Sequence, residues 1–282
     1  MRSEILKKFI YLLLLAVSWP SLAARQFDIE VILFKRNISP EQVRESWPDS
    51  QKPINLSGTI AFSDTEALAA KGARVLSPSQ YQLNNEYAKL KNHAGFTPLA
   101  HFAWRQGDQG KGSAPRIHIM AGKDFSDRFL ADGTSRAAAI NNPADNLVAP
   151  EVEPTGIVVT TDNGTSDISE QPASNLNQPI FELDGKLQVY VQHYLFVDAD
   201  LDLREPGRRE VIVGAETQDP ENLLLDGNVQ VGHLQEVTKR VEVEEFLKGF
   251  RFTQTRRMKS SETHYLDHPL MGMIIQVRRV DA

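Results

Sequence analysis

Leu187-Gln188-Val189-Tyr190-Val191-Gln192-His193-Tyr194-Leu195-Phe196-Val197-Asp198-Ala199-Asp200-Leu201-Asp202-Leu203 decides how this chain folds. Apart from His193, the odd positions are apolar. The even positions carry Gln188, Tyr190, Gln192, Tyr194, Phe196, Asp198, Asp200 and Asp202. A period of two belongs to the β-strand, whose successive side chains point to opposite faces. Held over this length, it predicts one long twisted strand, bent or bulged along its course, with one face on a core. Just upstream, Ile180-Phe181-Glu182-Leu183 runs into Asp184-Gly185, a pair that suits a two-residue hairpin turn.

The same patterning recurs on both sides. Phe27-Asp28-Ile29-Glu30-Val31-Ile32-Leu33-Phe34 alternates and then turns wholly apolar, as in a strand entering the middle of a sheet. Residues 99–105 and 116–120 read as strands around Gln106-Gly107-Asp108-Gln109-Gly110-Lys111-Gly112, a loose hairpin tip. Near the end, residues 250–259 are extended, Ser260-Ser261 turns, and 262–266 and 273–280 follow as strands. Two short helices interrupt the pattern in the N-terminal half. One has a cap at Ser63-Asp64 and a stop at Gly72; the other starts at Ser77-Pro78-Ser79-Gln80 and repeats Leu83, Tyr87, Leu90 and Ala94 on one face. The expected fold class is α+β on a mainly antiparallel sheet with hairpins.

Composition narrows the class further. The chain has 282 residues, 41% hydrophobic and 24% charged, with no cysteine. That excludes a multi-pass membrane protein, a collagen or coiled-coil rod, a disulfide scaffold, thiolate zinc and a cysteine nucleophile. Residues 1–24 read as a signal peptide: Arg2, Lys7 and Lys8 precede an apolar run from Phe9 to Val17, then Pro20 and small residues up to Ala24. Removing them takes two positive charges from a net −6 and leaves −8, which argues against a basic nucleic-acid-binding surface. Between Asn141 and Ile180 stand Asp145, Glu151, Glu153, Asp162, Asp167 and Glu170 with no Lys or Arg, among Pro143, Pro150, Pro154, Pro172 and Pro179. One-sided charge and dispersed proline do not bury enough surface to offset ordering entropy. Residues 124–179 are therefore expected to be a disordered acidic insertion, with 25–123 before it and 180–282 after it as the same domain or a second lobe.

Catalytic motifs are missing. There is no G-x-S-x-G elbow, no G-x-x-x-x-G-K-[ST] loop, no H-E-x-x-H and no S-x-x-K. Asp198, Asp200 and Asp202 open like a calcium loop, but Leu203 and Arg209 stand where Gly and Glu are needed, so a solvated strand face explains them better. His264 and His268 are four apart, a zinc spacing only on a helix, and Pro269 argues for strand and turn. Asp267, His268 and Pro269 fit a side-chain-to-backbone turn. Arg251, Arg256, Arg257 and Lys259 cluster in an otherwise acidic chain beside Gln254, Glu262 and His264, chemistry suited to a carboxylated polymer. The competing reading is a solvated face paired internally to Glu242, Glu244 or Glu245. Tyr190, Tyr194 and Phe196 suit either a sugar-stacking platform or the second side of a core.

A resemblance adds to this. Arg25-Gln26-Phe27-Asp28-Ile29-Glu30-Val31-Ile32-Leu33-Phe34-Lys35-Arg36 with Glu45-Ser46-Trp47-Pro48 resembles the opening of the CsiV family of periplasmic peptidoglycan-binding proteins. Arg256-Arg257-Met258-Lys259-Ser260-Ser261-Glu262-Thr263-His264-Tyr265-Leu266-Asp267-His268-Pro269-Leu270 resembles its most distinctive segment, and Ala103-Trp104-Arg105-Gln106 is a weaker match. One departure is His193-Tyr194-Leu195-Phe196, where the family pattern has an Arg-Tyr-Leu-His-like run. The resemblance implies a non-catalytic periplasmic protein without cofactor or metal that binds peptidoglycan. It also implies support of wall synthesis and cell shape through a bifunctional penicillin-binding synthase and its outer-membrane lipoprotein activator. The candidate peptidoglycan contacts are Arg256, Arg257, Lys259, Glu262, His264, Tyr190 and Tyr194. The alternatives are an envelope scaffold that touches no glycan, and a metal-dependent hydrolase using His264, Asp267 and His268.

Overall fold

The alternation that begins at Phe27 forms β1 (Gln26–Arg36), the middle strand of a sheet. The structure, a computed structural model, describes residues 25–141, 178–213 and 240–280. After β1 come β2 (Ile60–Ala61), β3 (Ala73–Val75), β4 (Phe96–Gly107) and β5 (Arg116–Asp124). They are followed by β6 (Phe181–Gln192), β7 (Tyr194–Val213), β8 (Arg240–Met258), β9 (Thr263–Asp267) and β10 (Met271–Val280). Sheet 1 has the order β3-β4-β1-β10-β9 and sheet 2 the order β2-β5-β6-β7-β8. All described pairings are antiparallel except the two-residue contact of β2 with β5. The mainly antiparallel α+β expectation holds.

The two sheets enclose one core. Ile29, Val31 and Leu33 of β1 and Met273, Ile275 and Val277 of β10 join Leu187, Val189, Val197 and Leu201 of sheet 2 in one buried cluster. Each such side chain contributes about 1.5–3 kcal/mol of burial. The opposite face of β1 presents Ile32 and Phe34 to Leu83 and Leu90 of the helical segment. Between those two apolar positions and the strand's start lies Glu30, fully buried. It is held by four donors: the N–H of Gln82 (2.8 Å) and of Leu83 (2.9 Å), Arg278 (2.8 Å) and His101 (2.9 Å).

Helix α1 (Thr65–Ala70) is capped by Asp64, which accepts the Ala67 N–H at 3.0 Å, and it stops at Gly72 with φ of 73°. The second expected helix divides. Ser77 N–H does donate to Gln80 at 3.1 Å, but the result is a single 3₁₀ turn, Pro78–Gln80, and α2 (Asn84–Asn92) begins anew. Glu30 takes the intervening Gln82 and Leu83 N–H groups, so a tertiary carboxylate substitutes for a continuous ladder.

Four further expectations are corrected. The long strand is a hairpin: β6 and β7 pair across His193, whose φ is 61°, with Val191 opposite Leu195 and Val189 opposite Val197. Odd residues pair with odd residues, so both arms keep the same inward parity and the period of two passes through the turn unbroken. Asp184-Gly185 lies within β6 and makes no turn; a Cβ on Gly185 would press on the Asp200 carbonyl and stand 2.7 Å from Leu201 Cα. Residues 99–105 and 116–120 do not pair as a hairpin, because β4 belongs to sheet 1 and β5 to sheet 2. Likewise β8 and β9 lie in different sheets, and the Ser260-Ser261 turn carries the chain from one to the other.

The expected insertion begins with ordered structure. Phe125 and Phe129 pack with Ile180 and Leu247, and α3 (Arg136–Asn141) follows a bridge between Phe129 and Ser135. The remainder of that segment, 142–177, lies outside the described residues, as does the expected signal peptide, 1–24.

Candidate binding site

Among the described residues β8 is an edge strand of sheet 2, bridged at Phe246 by Thr134, and it runs antiparallel to β7, opposing Arg251 to Asp202, Thr253 to Asp200, Thr255 to Asp198, Arg256 to Val197 and Arg257 to Phe196. Strand parity then sorts the basic cluster. Arg251, Thr253, Thr255 and Arg257 share the outer face with the three aspartates, and Arg256 projects to the other side.

Arg251 is committed to the fold. It grips Asp202 at 2.5 and 2.9 Å and donates to the Lys52 carbonyl at 2.8 Å. The Asp202 hydrogen bond raises its pKa further, against the lowering by burial. Arg256 and Arg257 are exposed, and neither has an ion pair among the described residues. Of the three acids expected as internal partners, Glu242, Glu244 and Glu245, the last two pair instead with Arg209 (3.3 Å) and Arg128 (2.7 Å). The Arg257 guanidinium lies 3.5 Å from the centroid of the Tyr194 ring, and Tyr194 is 52% exposed. Arg stacked on an exposed aromatic keeps its N–H edge free for an anion while its face is supported.

Tyr190 behaves differently from the platform expectation. It stacks on Phe196 at 5.5 Å and 16°, yet it is only 4% exposed. The loop after β4 covers it: Lys111 Nζ lies 5.1 Å over the ring and 2.7 Å from Asp198, while Gln188 donates to the Lys111 and Ala114 carbonyls at 2.8 and 2.9 Å. Lys111 thus joins the site although the sequence marks it only as part of a glycine-rich loop. Beside it, Lys186, Asp198, Asp200, Thr253 and Arg116 border a hollow of about 320 Å³ on the same face. The three aspartates that open like a calcium loop are spread along β7, with Asp198 on Lys111, Asp200 on Thr253 (2.9 Å) and Asp202 on Arg251.

Lys259, Glu262 and His264 stand together at the sheet-to-sheet turn. Lys259 Nζ reaches Glu262 at 3.4 Å. His264 Nε2 lies 3.2 Å from the Lys259 N–H and 3.3 Å from its carbonyl, accepting from one or donating to the other according to tautomer. Ser261 N–H donates to the Val277 carbonyl at 2.7 Å, which fastens the turn to β10.

Asp267, His268 and Pro269 form the connection from β9 to β10. Asp267 accepts from Arg36 (2.5 Å) and Tyr265 (2.7 Å); burial raises its pKa, but those two bonds outweigh it and hold the carboxylate below its usual range. His268 accepts the Leu270 N–H at 3.2 Å and packs against Trp47 and Phe252, and this burial lowers its pKa. His264, Asp267 and His268 are therefore engaged by three separate sets of partners. No group of three His, Asp or Glu able to hold a metal occurs among the described residues, and no described helix is long and apolar enough to cross a membrane.

The chain matches the family model described as peptidoglycan-binding protein, CsiV, over residues 7–280. No curated protein and no solved structure matches it. A match of that extent covers both sheets, the β8 edge and the turn that follows it, and by it the chain belongs to the CsiV family of peptidoglycan-binding proteins.

Proposed function

We propose that this protein is a non-catalytic periplasmic component that binds peptidoglycan at the Arg257–Tyr194 end of β8. Residues 1–24 act as the export signal and are removed. Arg257, stacked on Tyr194, and Arg256 supply the charge; Lys259, Glu262 and His264 hold the adjoining turn in shape. The observation that carries the reading is the pair of arginines without carboxylate partners, among the described residues, in a chain of net −6. Guanidinium groups bind carboxylates through two parallel hydrogen bonds, and the peptide stems of the wall are rich in carboxylates. In the cell, this binding supports wall synthesis and shape through a bifunctional penicillin-binding synthase and its outer-membrane lipoprotein activator, in line with the family resemblance.

Co-sedimentation with purified sacculi tests the proposal. The exported protein should pellet with sacculi at low salt and be released as salt screens the exposed charges. Protein that stays in the supernatant at low salt refutes peptidoglycan binding. If the same preparation is captured by the immobilised lipoprotein, the scaffold alternative replaces it.

A further inference from the structure

A second cleft lies away from the β8 edge site, where the loop after β1 meets the base of the β7–β8 pair. It has a volume of about 470 Å³ and is walled by Arg44, Glu45, Trp47, Pro206, Arg208 and Phe250. That volume falls in the range of small-molecule sites. Trp47 is half-buried, its ring set edge-on to Phe250 at 5.2 Å and tilted against His268 at 5.8 Å. The indole is thus fixed from behind and keeps part of its surface in the cleft.

The charges on the wall are sorted by their partners. Lys248 is held by Asp49 at 2.7 Å, Glu205 lies 3.3 Å from Lys35, and Glu41 takes the Ser39 hydroxyl. Arg44, Arg208 and Glu45 have no ion pair among the described residues. The cleft therefore offers an aromatic surface, guanidinium donors and a carboxylate acceptor, with little net charge. An anion would meet the Glu45 and Glu41 carboxylates. A neutral sugar carrying an amide would use every group: its apolar face on the indole, its hydroxyls donating to a carboxylate, and its acetamide oxygen accepting from a guanidinium.

We propose that this cleft binds N-acetylated hexosamine residues of a glycan chain, separately from the carboxylate-seeking face at Arg257. The assignment rests on the peptidoglycan reading for its choice of polymer. Seven residues of β8 separate Phe250 from Arg257, about 23 Å at 3.3 Å per residue. By strand parity Phe250 faces the interior side of sheet 2 and Arg257 its outer face, so the cleft and the arginine face are two separate surfaces.

The chain has tryptophan only at positions 19, 47 and 104. Trp19 leaves with the export signal and Trp104 is fully buried, so Trp47 alone reports on solvent access. Acrylamide quenching of the exported protein should fall about twofold at millimolar tetra-N-acetylchitotetraose, the affinity range of a single small site. About 0.5 M salt should leave that protection in place, whereas it releases the protein from sacculi. The double variant Arg44→Ala/Arg208→Ala, at the surface, should lose the protection while its near-ultraviolet circular dichroism stays that of the parent. Quenching that the oligosaccharide does not change, or protection that persists in the double variant, overturns the assignment. Retention on sacculi with an unresponsive Trp47 removes the cleft and leaves the peptidoglycan reading standing. Protection of Trp47 in a protein that sacculi do not retain does the reverse.

Discussion

Replacing Glu30 by Gln probes the buried carboxylate that joins β1, β4, β10 and the α2 entry. One oxygen takes Leu83 N–H and the His101 contact, and the other takes Gln82 N–H and Arg278. A glutamine amide turned either way sets its NH₂ against backbone N–H and a basic side chain, so no flip restores the network. Burial raises the carboxyl pKa, but the His101, Gln82, Arg278 and Leu83 contacts outweigh it and bring it from 4.5 to about 2. That difference corresponds to about 3 kcal/mol of preference for the ionised form. Because the folded-state value is lowered, this stability is fully present above pH 4.5 and is lost as pH falls towards 2. Glu30→Gln should therefore cost about 3 kcal/mol at pH 7, a fall in Tm of about 6–12 °C for a domain of this size. The penalty relative to the parent should shrink below pH 4.5, where the carboxylate of the parent's unfolded chain begins to protonate while the folded one stays ionised. Thermal and urea unfolding at pH 7, 5 and 3 measure it. A Tm within about 1 °C of the parent at pH 7, or a penalty independent of pH, refutes the reasoning.

Other perturbations address the site and the fold. Arg256→Glu with Arg257→Glu should weaken co-sedimentation with sacculi about tenfold or more without moving Tm by more than a degree or two, since neither arginine pairs with a carboxylate among the described residues. Tyr194→Ala withdraws the aromatic support of Arg257 and should weaken the same retention about two- to fivefold, read from the concentration of sacculi needed for half binding. Arg251→Ala leaves the buried Asp202 without its guanidinium and should lower stability in urea by about 2 kcal/mol. Gly185→Ala drives a Cβ into the β7 backbone at Asp200 and Leu201 and should cost about 2 kcal/mol or more; unchanged urea unfolding contradicts the close approach.

Much of the fold is legible along the chain. The strands at Phe27–Phe34 and near the C-terminus, the Asp64 cap and the Gly72 stop all follow from contacts within a few residues. The errors share a different cause. The hairpin at His193 is invisible to periodicity because its register preserves parity. Gly185 reads as a turn because a glycine required by a neighbouring strand has the same letter as one required by a turn. Adjacent strands read as hairpins, and here both β4–β5 and β8–β9 change sheets.

The site divides in the same way. The basic cluster, the absence of catalytic motifs and the family resemblance were all present in the order of residues. Which arginine remains open was settled by register, since Asp202 lies opposite Arg251 across β7 and β8, and Tyr194 beneath Arg257 is sixty-odd positions away along the chain. Tyr190 left the surface because Lys111 folds over it, and Trp47 and Arg208 line one cleft only because the loop after β1 lies against the β7–β8 base. Residue order determines which faces are apolar and where charge accumulates, because those are properties of local spacing. Partnership between distant side chains depends on how two sheets stack and on which strands lie at their edges, and only the assembled tertiary structure decides that.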